Sequence, residues 1–351
     1  MKSLLITSGS SQLIYQLSVL KNRVPNSNDV YVLYVGLFSE SLDVFFSQMS
    51  KEFNFKYIGQ IHFDIYPIKV SKKEFFYYLF YRGFPRLIKL VDNKFSLLKK
   101  FKSFDLIIMP VRVKMPADAL LLSYLNPKQI IYVADGVIDI LPNRNFKGWQ
   151  YIYLKYLKSF PIPNKIYAPS FLETDIKRIG KFKEVKIQQV LESLVKIQLA
   201  KQFESKYLKA IITHVVLSQH YHLHENIELK SDVSYYEQII NYALQNKNAK
   251  VLFKPHPRDL KEKIEIIKKL YRSNNNILIV DDEYKSLPIE LFYKYFIINK
   301  TVFLTGNSSA PLFYKNTNKV FTICSHKNLT KELNNRIKDF AYNYNLENIN
   351  L

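Results

Sequence analysis

At 351 residues, 48% of them hydrophobic, the chain exceeds one small core and suits two domains of ordinary size. Its single cysteine, Cys324, excludes an internal disulfide and a cysteine-built metal site. A formal charge of +21 inclines it toward anionic partners such as nucleic acid, anionic lipid or a phosphorylated substrate.

In chain order, the opening "MKSLLITSGSSQLIYQLSVL" reads as strand, loop and helix rather than a leader. Its strand is Ser3 to Thr7, and further short apolar strands are expected at 30–34, 106–109, 130–133 and 165–167. A second series covers 215–217, 251–253, 277–280, 302–304 and 320–322. Continuous apolar strands separated by helical patterns imply parallel sheets covered on both faces. Two series imply two α/β domains, with ligands at the carboxyl ends of the strands near the crevice between the domains. The break is expected near "KSFPIPNKIYAPSF", where three prolines interrupt the helical pattern. The expected division is therefore 1–162, 163–335, and a helix in 336–351 that packs back on the first domain. A charged helix is expected over roughly 171–209.

Two segments are both basic and aromatic. Residues 69–102 hold ten cations against Glu74 and Asp92, and residues 144–165 hold five cations and no acid. Such faces can lie on an anionic membrane. No apolar run reaches the length of a membrane span, so the expectation is a cytoplasmic protein, peripheral on the inner face of the membrane.

Chemistry-bearing residues collect at predicted strand ends. Thr7-Ser8-Gly9-Ser10-Ser11-Gln12 offers hydroxyl and backbone donors to a ligand, or simply caps a helix. Asp135 and Gly136 close the strand "QIIYV" as either an acid–base carboxylate or a turn. In "FKPHPR", Pro255 and Pro257 stiffen the backbone around His256, with Lys254 and Arg258 outside them. A neutral imidazole there can donate to a leaving oxygen, and the cations can hold a phosphate. Gly306, Asn307, Ser308 and Ser309 leave a strand and open a helix, a phosphate cradle by composition. The alternation "HYHLH" at 220–224, with His214, can place imidazoles on one face of an extended segment as zinc requires, although no carboxylate or cysteine ligand lies nearby in sequence. Walker A, GxGxxG, HExxH and nucleophile-elbow patterns are missing from the sequence.

Taken in order, Ala134-Asp135-Gly136, His256-Pro257 and Ser308-Ser309 resemble the acidic-acidic-Gly, His-Pro and Ser-Ser motifs of bacterial GT-B-fold sialyltransferases, including the polysialyltransferase-like and lipooligosaccharide enzymes. "LLITSGSSQL" and "LPIELFY" are also similar to segments of that family. The resemblance implies an α/β GT-B fold, in which two Rossmann-like domains turn parallel sheets toward a central cleft, the first on the acceptor side and the second on the nucleotide side. It implies inverting transfer of sialic acid, or a related nonulosonate, from a CMP-activated donor to a hydroxyl of a lipooligosaccharide or capsule glycan, with no cofactor and no obligatory metal. Asp135 would be the base, His256 would assist departure of CMP, and Ser308 and Ser309 would bind its phosphate. Gly136, Pro257 and Asn307 complete the donor set, and Glu290 would meet the ribose. Lys254 and Arg258 would add positive field, a role that follows from their charge and not from the resemblance. One departure is Ala134 at the first acidic position; where a related family places its base after the first strand of the second domain, this chain offers only His220.

Two rival readings follow from the same residues. A CDP-glycerol or CDP-ribitol phosphotransferase shares the Lys-Pro-His-Pro-like segment, but it carries Asp-x-Ser-Ser and a His-Gly pair, and this chain has Gly306-Asn307 and no His-Gly pair. A non-catalytic basic protein that binds nucleic acid or glycan is the reading from another class. No nucleic-acid module is recognisable, so nucleic acid is not an expected partner.

Overall fold

The computed structural model describes residues 1–24, 29–36, 39–62, 98, 101, 103–111, 122, 125, 127–134, 165–177, 180–224, 227–325 and 327–351. The chain divides into two compact units, Met1–Val190 and Leu191–Leu351.

In the first unit, β1 (Lys2–Thr7), β2 (Asp29–Gly36), β3 (Lys56–His62), β4 (Leu106–Pro110), β5 (Gln129–Val133), β6 (Lys165–Ala168) and β7 (Lys181–Glu184) form one sheet. Its order is β3-β2-β1-β4-β5-β6-β7, and every pairing is parallel. The central strands are apolar because both faces are covered: Leu4, Leu5, Ile6, Ile107 and Ile108 are fully buried. At the edge, Gly59 adopts φ 128° where the register against Val32 and Leu33 shifts, so Ile58 is the extra residue of a bulge.

The second unit repeats the plan. β8 (His214–Leu217), β9 (Val251–Lys254), β10 (Ile277–Ile279), β11 (Val302–Thr305), β12 (Val320–Cys324) and β13 (Glu347–Asn350) run in the order β10-β9-β8-β11-β12-β13, again all parallel. The helix Leu229–Leu244 buries Tyr235, Tyr236, Ile239 and Ile240 in a core shared with Val251, Phe253, Leu304 and Ile323. Each sheet reverses its strand order beside its first strand, β1 in one and β8 in the other. That is the switch point where the crevice of a doubly wound sheet opens.

Three expectations are corrected. The first sheet continues through β6 and β7, so the division falls after Val190 rather than near 162: the proline-rich stretch precedes two more strands of the same sheet. The segment 171–209 is not one helix. It contains the short helices Glu173–Lys177, Gln188–Leu194 and Gln198–Tyr207, with β7 between the first two. The terminal segment belongs to the second unit, where the helix Lys331–Asn343 packs on β12 through Leu333 and Ile337 and β13 extends the sheet. No helix among the described residues is long and apolar enough to cross a membrane. The basic aromatic segment 69–102 lies outside the described residues except for Leu98 and Phe101; of 144–165 only Lys165, in β6, is described.

Candidate functional site

Parallel pairing sets three loops side by side. Leu217 at the end of β8 is in register with Lys254 of β9 on one side and Thr305 of β11 on the other. The chain therefore leaves these strands as Ser218-Gln219-His220-Tyr221, Pro255-His256-Pro257 and Gly306-Asn307-Ser308-Ser309, about 5 Å apart at their roots. The middle loop touches both neighbours. The His220 ring lies on the His256 ring, with centroids 4.0 Å apart and planes at 33°. The Tyr221 hydroxyl donates to Asn307 Oδ1 at 2.9 Å. Gly306 is required where it stands, because a Cβ there would overlap Tyr221 Oη.

His256 is half-buried and set by local geometry. Its backbone N–H donates to Asp259 Oδ2 at 2.8 Å, and the Asp259 N–H donates back to the His256 carbonyl at 2.9 Å. The Arg258 N–H donates to Nδ1 at 3.1 Å, so the neutral ring carries its proton on Nε2. That tautomer presents a donor on the ring edge away from the turn.

Lys254 is not the exposed cation that the spacing suggested. It is buried and donates to the carbonyl oxygens of Pro255 and Lys285, and burial pushes its ammonium down to about 7 against the opposing pull of Glu290 and Asp259. Lys285 answers by donating to the Asp259 carbonyl at 3.2 Å. Two lysines thus lace the His256 turn to the turn after β10. Glu290, in the 3-10 turn Ile289–Phe292, is 5% exposed and acts electrostatically on Lys254.

Ser308 and Ser309 precede a five-residue 3-10 turn, Ala310–Tyr314, with Pro311 in its first turn, and not the expected α-helix. So short a turn has little dipole, and what the loop offers a ligand is hydroxyls. Ser308 Oγ accepts from the Ala310 N–H at 3.4 Å, and the Ser309 carbonyl accepts from Leu312.

The histidine-rich stretch does not form a face. Tyr221–His224 is a single helical turn, which breaks the extended alternation. His214 Nδ1 meets Thr213 Oγ1 at 2.9 Å, and burial lowers its basicity. His222 Nδ1 shares a 2.6 Å hydrogen bond with Asp232. His222, Asp232 and Asp259 have ligand-like spacing, but the Lys263 ammonium binds both carboxylates, at 3.0 and 3.1 Å. A lysine thus stands where the grouping would take a cation. Reading the sequence missed Asp259, Lys263 and Asp232, because their partners lie in other elements.

In the first unit, the Thr7–Gln12 loop closes on itself. Gln12 Oε1 accepts from the Ser8 N–H at 2.7 Å and the Ser8 hydroxyl at 3.0 Å, and Thr7 Oγ1 donates to the Gly9 carbonyl at 2.8 Å. Ala134 is buried and its N–H donates to Tyr167 O at 2.8 Å; Asp135 and Gly136, next in sequence, lie outside the described residues.

The alpha-2,8-polysialyltransferase family matches residues 152–325, a span that contains His256-Pro257 and Ser308-Ser309 and ends short of Asp135 on its other side. No curated protein sequence matches the chain. Among solved structures, the GT-B domain of a sialyltransferase from Photobacterium damselae superposes with a TM-score of 0.52 at 11% identity, covering 100% of both chains. A putative UDP-N-acetylglucosamine 2-epimerase from Listeria monocytogenes gives 0.51 at 11% identity, covering 92% of this chain and 78% of that one. With the twin doubly wound sheets, these superpositions show a GT-B fold, and residues 152–325 are similar to the alpha-2,8-polysialyltransferase family.

Proposed function

We propose that the protein is an inverting glycosyltransferase that moves sialic acid, or a related nonulosonate, from a CMP-activated donor to a hydroxyl of a cell-surface glycan. The observation that carries this reading is that the His256 loop and the Gly306–Ser309 loop flank the β8 loop at the switch point and each touch it, with His256 Nδ1 engaged and its proton left on Nε2. The acceptor oxygen attacks the anomeric carbon, and its proton passes to the Asp135 carboxylate. The bond from that carbon to the CMP phosphate breaks through an oxocarbenium-like state. His256 Nε2–H donates to the departing phosphate oxygen, which the Ser308 and Ser309 hydroxyls and Asn307 hold. Gly136 and Pro257 shape the approach to the base and the imidazole. Glu290 and Lys254 act from beneath, Glu290 toward the ribose and Lys254 by bracing the turn. No cofactor and no obligatory metal enters these steps, and the enzyme works at the inner face of the cytoplasmic membrane.

Incubation with CMP-sialic acid and a galactose- or sialic-terminated acceptor is expected to release CMP. Asp135→Ala should nearly abolish transfer while CMP binding persists; undiminished turnover would remove Asp135 as the base. Absence of CMP release with any acceptor, together with consumption of CDP-glycerol or tight RNA binding, would sink the reading.

A further inference from the structure

Lys263 lies in the helix Lys261–Leu270, outside every motif, and is wholly buried. Its ammonium donates to Ser218 Oγ at 2.9 Å, Gln219 O at 2.8 Å, both Asp232 oxygens at 3.1 and 3.0 Å, and Asp259 Oδ1 at 3.1 Å. The Tyr236 ring lies 4.3 Å below it. Asp259 is the residue whose other oxygen holds the His256 N–H, and Ser218-Gln219 lead directly into His220. One cation is thus bonded to both loops that carry the stacked imidazoles.

We propose that Lys263 is a positioning residue that keeps His220 and His256 in register. A buried ion cluster adds little stability over apolar packing of the same volume, because desolvation offsets the attraction. What it adds is direction: two loops that leave neighbouring strands are held to one point by charge-assisted bonds. Without that point the His256 N–H loses a fixed acceptor, the turn that supplies the Arg258 N–H to Nδ1 relaxes, and the tautomer with the proton on Nε2 is no longer imposed. Asp232, Asp259 and His222 are the other ionisable groups of the cluster, and Lys254, Lys285 and Arg258 face the His256 turn from its remaining sides.

The kinetic arm of the test rests on the proposed sialyl transfer; the spectroscopic arm does not. Lys263→Met/Asp232→Asn removes one charge of each sign, so that no added net charge is buried, and Ser218→Ala removes one bond toward His220. Fold is checked by circular dichroism and thermal melting, and imidazole nitrogen shifts of His256 are followed by NMR across pH. The expected result for the double variant is a His256 tautomer signal moved toward an exchanging mixture and a displaced pH profile. Its kcat should fall about 10²-fold, with the donor KM within about threefold. Ser218→Ala should move both in the same direction by less, and it carries the test alone if the double variant does not fold. Unmoved His256 resonances in folded variants would overturn the proposal. Moved resonances in a protein whose wild type releases no CMP would leave the positioning role standing and remove the sialyl reading instead.

Discussion

The loops after β1 and β8 occupy the same station in two sheets of the same winding, and the hydrogen bonds described for them run differently. The first is rich in hydroxyls and bonds inward: Gln12 takes both Ser8 donors and Thr7 bonds Gly9. The second sends each group to a neighbour: Ser218 to Lys263, His220 to His256, Tyr221 to Asn307. A switch point offers a crevice in either sheet, but topology alone does not furnish one with chemistry. Side chains that cross between loops do so, as His220, Tyr221 and Lys263 do among the described residues of the second unit.

That contrast can be broken by experiment. The largest effect is expected at His256: His256→Ala should lower kcat for CMP release by about 10²- to 10⁴-fold, the range of a lost general acid. Equal activity would move the chemistry away from the β9 loop. Next are the paired glycines. Gly306→Ala drives a methyl into Tyr221 Oη and should cost about 1–3 kcal/mol in denaturant unfolding. Gly9→Ala meets nothing within 4 Å and should stay within about 0.5 kcal/mol. Similar costs at both sites would show that the β8 loop is no tighter than the β1 loop.

A subtler difference concerns pH. Burial holds Lys254 at about 7 in the folded chain, against an ordinary 10.5. Between those values the unfolded chain binds the extra proton, so this residue makes stability rise with pH across the window and contributes its full penalty below it. Wild type should therefore gain on Lys254→Met in melting temperature as pH rises from about 7 to 10.5, and a flat difference would mean that the ammonium is not desolvated. The smallest effect is expected from Ser8→Ala, whose loop keeps the backbone bond from Ser8 to Gln12; CMP release should stay within about twofold.

Much of this organisation was legible in the chain. Strands with both faces covered announce themselves as apolar runs, as in Leu4-Leu5-Ile6 and Val251-Leu252-Phe253. The strands that escaped notice are β3, β7 and β13, each at an edge of its sheet with polar sequences such as "KFKE" and "ENIN". An edge strand has one unpaired side and tolerates charge, so these three leave no apolar run to read, whereas the fourth edge, β10, keeps one in Ile277–Ile279. The histidine's stiffness was legible too, but only half its cause: prolines restrict the backbone, while Lys254, Lys285 and Lys263 tie the turn to three other segments.

By itself, then, the sequence determined two parallel α/β sheets and the order of the His-Pro and Ser-Ser loops, because periodicity and residue type are local properties. The tertiary structure alone decided that Lys254 is buried, that His220 lies on His256, and that a lysine fills the space among His222, Asp232 and Asp259. Those outcomes depend on which strands become neighbours and on what the interior charges to bury an ion, and neither is written in any short stretch of chain.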